Sequence, residues 1–403
     1  MQKIEKQVVA STAACHGLIH ILELTYAAVL IGIAQEFGAG LIVLGLLATV
    51  FGLAFGAAAL PSGFLADRIG ERQLLMFCCL GTGIASIGVG LSPNIYILAI
   101  ALTLLGLALG IYHPVGAALV ARVATRRGLA FGYLGVGGNL GLALGPILAG
   151  TIASLLDWRA SYLILAIPAI LLAALLHSFA RTEIPFVPQA IAPADPKKTL
   201  LRATILPLVL IFSAAVVNGF VYRGVITFLP LYLSQRIHFT FLQLGSMALA
   251  GTFTTIALLF GVGGQFLGGY LSERRRREGL AVVVAMATIP PLVVMGSSEG
   301  LVLMVAAITF AFFFFMSQPI YISLIADYSP AAWRGRSYGI YFLAAFGLGS
   351  FSPSILGYIA EQRGTNWIFL TSAGFAFIAL VCMAFLLARV LTISKHGKAS
   401  DSV

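Results

Sequence analysis

Gly63-Phe64-Leu65-Ala66-Asp67-Arg68-Ile69-Gly70-Glu71-Arg72 is answered 206 residues later by Gly269-Tyr270-Leu271-Ser272-Glu273-Arg274, the same order of small, aromatic, aliphatic, acidic and basic residues. Both copies interrupt long apolar stretches. Other marks repeat in nearly the same register. Gly128, Gly132, Pro146 and Gly150 return as Gly335, Gly339, Pro353 and Gly357, each 207 residues on; Pro114 returns as Pro319 after 205, and His16 and His20 are matched by Asn218 and Tyr222 after 202. A chain that repeats at half its length is built from two copies of one unit, and the small drifts in offset are loop insertions.

The apolar stretches between these marks read as twelve spans, at 8–34, 41–66, 73–91, 95–121, 128–156, 159–180, 204–234, 242–271, 279–297, 300–326, 335–360 and 365–390. Each is long enough to cross a hydrocarbon core of about 30 Å as a helix. The reading predicts an all-α integral membrane protein. A six-helix bundle at 1–180 is followed by a linker at 181–203 that is rich in proline and lysine. A second six-helix bundle with a short tail occupies 204–403. Because span 1 corresponds to span 7, the halves keep the same orientation and are related by an axis along the membrane normal, as in parallel-repeat transporters.

A composition of 60% hydrophobic and 9% charged residues, with a mean hydropathy of +1.01, fits no soluble enzyme or nucleic-acid-binding domain. The spans are also too long for the strands of an outer-membrane barrel, which run to about 10 residues. The net charge of +10 is therefore read as topology, not as a polyanion site. With the N-terminus in the cytoplasm, 20 of the 24 Lys and Arg residues fall on the cytoplasmic side; Arg159, Arg236 and Arg363 fall outside and Arg223 falls within a span. The positive-inside rule then places both termini in the cytoplasm. Cys15, Cys78, Cys79 and Cys382 all lie in apolar spans without metal-ligand spacing and read as buried small hydrophobes. The first span carries His16, His20 and Glu23 and is too long for a secretory signal.

The loop Gly63 to Arg72 resembles the signature loop of the major facilitator superfamily, and with the two-fold repeat the resemblance covers the whole chain. It implies two bundles that rock about a central cavity open alternately to each side. Gly63, Asp67, Arg68, Gly70 and Arg72, with Glu273 and Arg274 in the second copy, are then expected to latch one conformation at the cytoplasmic face. Span 5, with Gly132, Gly141, Gly145, Pro146, Ala149 and Gly150, resembles the antiporter motif of drug:proton exporters, with alanine in place of the penultimate glycine. Small residues permit close helix packing and Pro146 removes a backbone donor, so this span is also expected to act as a pivot. His113-Pro114, Arg126-Arg127-Gly128, Gly137-Gly138-Asn139 and Gly145-Pro146 are similar to the fosmidomycin-resistance branch, which implies small anionic phosphonates or related metabolites as cargo. One departure stands out. Typical proton-coupled exporters carry an arginine within span 4, and none lies between Ile95 and Val120.

Coupling must then use other groups, or there is none. His16, His20 and Glu23 fall at i, i+4 and i+7, along one helical face. Charge near a bilayer centre costs roughly 2.5–3.5 kcal/mol on insertion scales, so the stripe is expected to face a wet cavity and, with His113, to carry protons. A metal site from the two histidines and Glu23 lacks identifiable further ligands, and none is expected. Arg223, in span 7, offers a fixed fork of donors for a carboxylate or phosphonate; the alternative is a permanent ion pair with Glu23. Asn139, Asn218, Tyr222, Tyr112, Gln318 and Tyr341 could hydrogen-bond the same ligand. The run Phe312 to Phe315 points around its helix and reads as packing.

The expected function is proton-coupled efflux of a small polar or anionic compound, by a monomer in the plasma membrane, a bacterial inner membrane. Its partners would be the substrate, protons and membrane lipids, with no nucleic acid and no cofactor. Proton symport of an organic anion or sugar into the cell and lipid flipping are the competing readings. The sequence shows no catalytic constellation and no nucleotide-binding glycine loop.

Overall fold

The computed structural model describes residues 3–125, 127–178, 202–237, 245–329 and 334–400. Twelve of its helices are long and apolar enough to cross a membrane. They are α1 (Lys3–Ala28), α2 (Leu41–Ile69), α3 (Glu71–Gly90), α4 (Ile95–Gly110, resumed as Tyr112–Val123), α5 (Arg127–Leu155) and α6 (Trp158–Ser178). The second set is α7 (Arg202–Arg236), α8 (Ser246–Ser272), α9 (Arg277–Met295), α10 (Gly300–Tyr328), α11 (Arg334–Phe342, resumed as Ser352–Arg363) and α12 (Asn366–Ser400). Of the linker, only Arg202 and Ala203 are described, as the first residues of α7.

The pairs α1/α5, α2/α4 and α3/α6 in the first half are matched by α7/α11, α8/α10 and α9/α12 in the second. Large apolar side chains such as Phe266, Leu301 and Phe385 point outward, where a bilayer would cover them. Phe314 and Phe315 are buried against Tyr222, and Phe312 and Phe313 are half-buried, so the aromatic run packs inside the second half.

Three crossings that read as unbroken helices are interrupted. The first bends at Val29 and continues as Leu30–Phe37. The fourth breaks at Ile111, because Pro114 has no N–H to return to the carbonyl of Gly110. In α11 a π-helical turn, Leu343–Gly347, passes into a 3₁₀ turn, Leu348–Phe351, ahead of Pro353. Pro353 likewise denies a donor to Gly349, and π turns concentrate at functional sites.

The halves meet along α2/α11 and α5/α8, at the ends remote from the termini. There Glu361 Oε2 accepts from Ile42 N–H at 2.8 Å and the Thr49 and Ser354 hydroxyls are 2.7 Å apart. Thr255 Oγ1 accepts from Ile147 N–H at 3.1 Å, and Ser154 Oγ accepts from Ala248 N–H at 2.8 Å. The glycines of α5 take part: Gly141 and Gly145 meet α1 at Gly17 and Ile21, and Gly150 meets α8 at Met247. Gly251 of α8 lies so close to α5 that a Cβ would stand 2.2 Å from Pro146 O. Gly251→Leu is therefore expected to hold this face open. In a cysteine-free background, Thr49→Cys should react severalfold faster with a membrane-impermeant maleimide when Gly251→Leu is added; equal rates would show that the contact does not gate this face.

Candidate functional site

His16 Nδ1 lies 2.8 Å from Leu134 O of α5, and His20 Nδ1 lies 2.7 Å from Glu23 Oε2. A carbonyl only accepts, so His16 carries a proton on Nδ1, and His20 donates its own Nδ1–H to the carboxylate. The two Nε2 atoms then face each other at 3.1 Å. Two lone pairs that close require a shared cation between them, a proton in the simplest case. Room for the His16 ring comes from α5, where a Cβ on Gly138 would stand 2.4 Å from His16 Cε1. The break in α4 brings in His113, whose ring centroid is 5.3 Å from that of His16 and 5.4 Å from that of His20. Its Nε2 is buried and has no hydrogen-bond partner.

Glu23 also joins the two halves. Arg223 of α7 donates from Nη1 to Glu23 Oε1 at 2.8 Å, and both side chains are buried. The guanidinium lies 5.2 Å from the Phe55 ring, 5.3 Å from Phe346 and 5.8 Å from Tyr222. Phe346 reaches this position from the π turn of α11. Arg223 Nε and Nη2 are buried without a hydrogen-bond partner. These atoms form one edge of the guanidinium, the edge that grips two oxygens of an acid group in parallel. A Cβ on Gly52 would press on Ser350, 2.9 Å from its Cβ, and would stand at an ordinary 3.8 Å from Arg223 Nε.

A cavity of about 620 Å³ lies between the halves on the side of the termini. His16, His113, Phe55, Tyr338 and Phe346 are among its lining residues, while Glu23 and Arg223 line a separate space of only about 20 Å³. The charged pair is thus shut off from the larger cavity behind Phe55 and Phe346. The stripe on α1 is divided accordingly, with His16 at the cavity wall and His20 and Glu23 buried behind it.

The remaining candidates separate into groups. Asn218, Tyr222, Gln318 and Tyr341 meet around a space of about 70 Å³ inside the second half. Tyr112 lines the large cavity but donates its hydroxyl to Thr12 O at 2.9 Å, and its ring stacks on His16 at 4.8 Å. Asn139 is half-buried on α5 outside these spaces.

At the first signature loop, Gly63 has open space where a Cβ would be, Gly70 takes φ +92°, and Arg68 is exposed. Arg72 donates from Nε to Leu176 O at 3.2 Å, and Glu71 pairs with Arg122. The side chain of Asp67 lies outside the described residues. In the second copy Glu273 and Arg274 are exposed, Arg274 sits over the Tyr270 ring, and the ion pair joins Arg277 to Asp327 at 2.5 Å. The described ion pairs at these loops therefore use Glu71 and Asp327, at the start of α3 and the end of α10. Phe55, Phe346, Gly52 and Glu361 were not singled out from sequence. Phe55, Phe346 and Gly52 sit in apolar or small-residue stretches and Glu361 at the polar end of α11, and the place of all four depends on which helices face each other.

The family model described as Major Facilitator Superfamily matches residues 12–353. The probable sulfoacetate transporter SauU of Cupriavidus necator is 26% identical over 369 residues, 83% of this chain and 82% of that protein. Multidrug resistance protein MdtG of Escherichia coli is 39% identical over 122 residues, 29% of this chain and 30% of its own. A solved bacterial homolog of the human lysosomal transporter Spinster, inward-facing and unoccupied, superposes with a TM-score of 0.79 at 18% identity, over 96% of this chain and 98% of that one.

Proposed function

The chain belongs to the major facilitator superfamily, and we propose that within it the protein is a proton-coupled transporter of a small organic anion. It is an integral membrane transporter of small molecules and not an enzyme. The observation that carries the anion reading is the free Nε–Nη2 edge of a buried guanidinium. Buried donors without partners are costly, and an oxyanion with two parallel oxygens satisfies both. Carboxylates, sulfonates and phosphonates share that shape. The similarity to SauU supports an anionic cargo.

With both termini in the cytoplasm of a bacterial inner membrane, the 620 Å³ cavity faces inward and the α2/α11 and α5/α8 contacts seal the outside. An anion entering from the cytoplasm reaches Arg223 once Phe55 and Phe346 part. Taking the guanidinium away from Glu23 leaves a buried carboxylate without its counter-charge, which a proton neutralises. Anion and carboxylate thus compete for one guanidinium, so each anion bound draws one proton onto Glu23, the positive linkage that carries both in the same direction. Asn218, Tyr222, Gln318 and Tyr341 supply further polar contacts, and the protein acts as a monomer among membrane lipids.

Thermal-shift titration of the purified protein with phosphonates, sulfonates, carboxylates, sugars and lipophilic cations tests the reading, since a ligand that binds the folded state raises its melting temperature. A saturable shift with anions is expected. In Arg223→Lys, which cannot present two parallel donors, anion affinity should fall about tenfold or more, the equivalent of one charged hydrogen bond of about 1.5 kcal/mol. Shifts with sugars or cations alone, or unchanged anion affinity in Arg223→Lys, would overturn it.

A further inference from the structure

The structure assigns to His16, His20 and His113 a binding site for a borderline divalent transition-metal ion of the Zn²⁺ class. The ligand atoms of the three imidazoles lie within 4.8 Å of one another. Two of them are already spaced for one ion, because nitrogens bound to the same tetrahedral metal at about 2.1 Å stand about 3.4 Å apart, and the facing Nε2 atoms of His16 and His20 are 3.1 Å apart. The position that a proton bridges can therefore hold a metal ion instead.

The surroundings are those of metal-binding histidines. Both Nδ1 atoms are held by acceptors, Leu134 O for His16 and Glu23 Oε2 for His20, which fixes the tautomer and turns each Nε2 lone pair inward. Glu23 also supplies negative charge one bond behind the site. His113 offers a buried Nε2 that nothing in the protein satisfies. A side-chain rotation closes the 4.8 Å spread of the ligand atoms to ligand distance. His16 and His113 line the 620 Å³ cavity, so the ion has an entry path and the fourth position is open to water or to an anionic ligand. An all-imidazole donor set suits zinc and its neighbours and not Mg²⁺ or Ca²⁺, which take oxygen ligands. The sequence showed only two of the three histidines on one helix; the third comes from α4.

Cobalt absorption reads the site without any transport assay. The full chain, purified in detergent on a tag without histidines, is titrated with Co²⁺. One equivalent is expected to give the intense visible bands of a four-coordinate ion, removed by Zn²⁺ and unaffected by Mg²⁺. His113→Ala should weaken binding at least about tenfold, whereas His177→Ala, an exposed residue at the end of α6, should not. His113→Cys should keep the ion and add a thiolate-to-cobalt charge-transfer band, a signature that a misfolded variant cannot give. Weak six-coordinate spectra in the unsubstituted protein, or equal affinity in monodisperse His113→Ala and His16→Ala, would overturn the assignment. A loss of anion binding with cobalt binding intact would instead count against the transport reading alone.

Discussion

Arg223→Lys is expected to lower anion affinity by about tenfold to a hundredfold while the protein stays folded. The ammonium of lysine can still pair with Glu23, so the buried carboxylate keeps a counter-charge. It cannot present two parallel donors, and the loss of a charged hydrogen bond of that kind is worth about 1.5–3 kcal/mol. Arg223→Ala is a different experiment. It leaves Glu23 buried and uncompensated, at a cost of about 3–5 kcal/mol, so lost transport would be mixed with lost stability. The double variant Glu23→Gln with Arg223→Ala removes both charges and should recover most of that stability without recovering anion binding. Thermal-shift titrations of the three proteins, with melting temperature and affinity read separately, decide the matter. Anions bound by Arg223→Lys as tightly as by the parent would mean that the guanidinium edge is not the anion site.

Glu23→Gln should abolish transport driven by a pH gradient in vesicles and strengthen anion binding at the same time. Glutamine keeps one acceptor oxygen, for either the His20 or the Arg223 donor, turns its NH2 toward the other and cannot exchange a proton. It also leaves the Arg223 charge buried without compensation, and a bound anion restores the balance. The variant should thus melt lower than the parent when empty and gain more from a saturating anion, where occupancy at one hundred times Kd contributes about 2.7 kcal/mol. The opposite signs of the two effects separate a coupling carboxylate from a structural one. Normal gradient-driven transport by Glu23→Gln would remove Glu23 from the coupling step, and an anion affinity no greater than that of the parent would remove it from competition with the substrate.

The pairing of Glu23 with Arg223 shows how far the site was legible. Each residue stood out because an ionisable group in an apolar span has to be neutralised, and together they were the available opposite charges on the two pseudo-equivalent helices α1 and α7. The i, i+4, i+7 spacing of His16, His20 and Glu23 likewise follows from helical geometry, and these side chains are hydrogen-bonded in series. What could not be read was the enclosure of the pair. Phe55 and Phe346 come from apolar stretches in opposite halves, and a phenylalanine facing a guanidinium looks in sequence like one facing lipid. The ion pairs beside the signature loops were missed for a related reason: Arg72 turns to a carbonyl of α6, and Glu71 is the residue that meets Arg122.

Length, apolarity and internal register are local properties that water and lipid read directly, and they suffice to specify a membrane-spanning chain of twelve helices in a repeat architecture. They also mark which buried charges need partners. The tertiary structure alone decided that the halves close at the ends remote from the termini, that a π turn aims Phe346 at Arg223, and that His113 joins the two histidines of α1. These depend on which faces of separate helices meet. Inside a bilayer, no hydrophobic difference separates a face turned to lipid from one turned to another helix, so shape and polar contacts between distant segments make that choice.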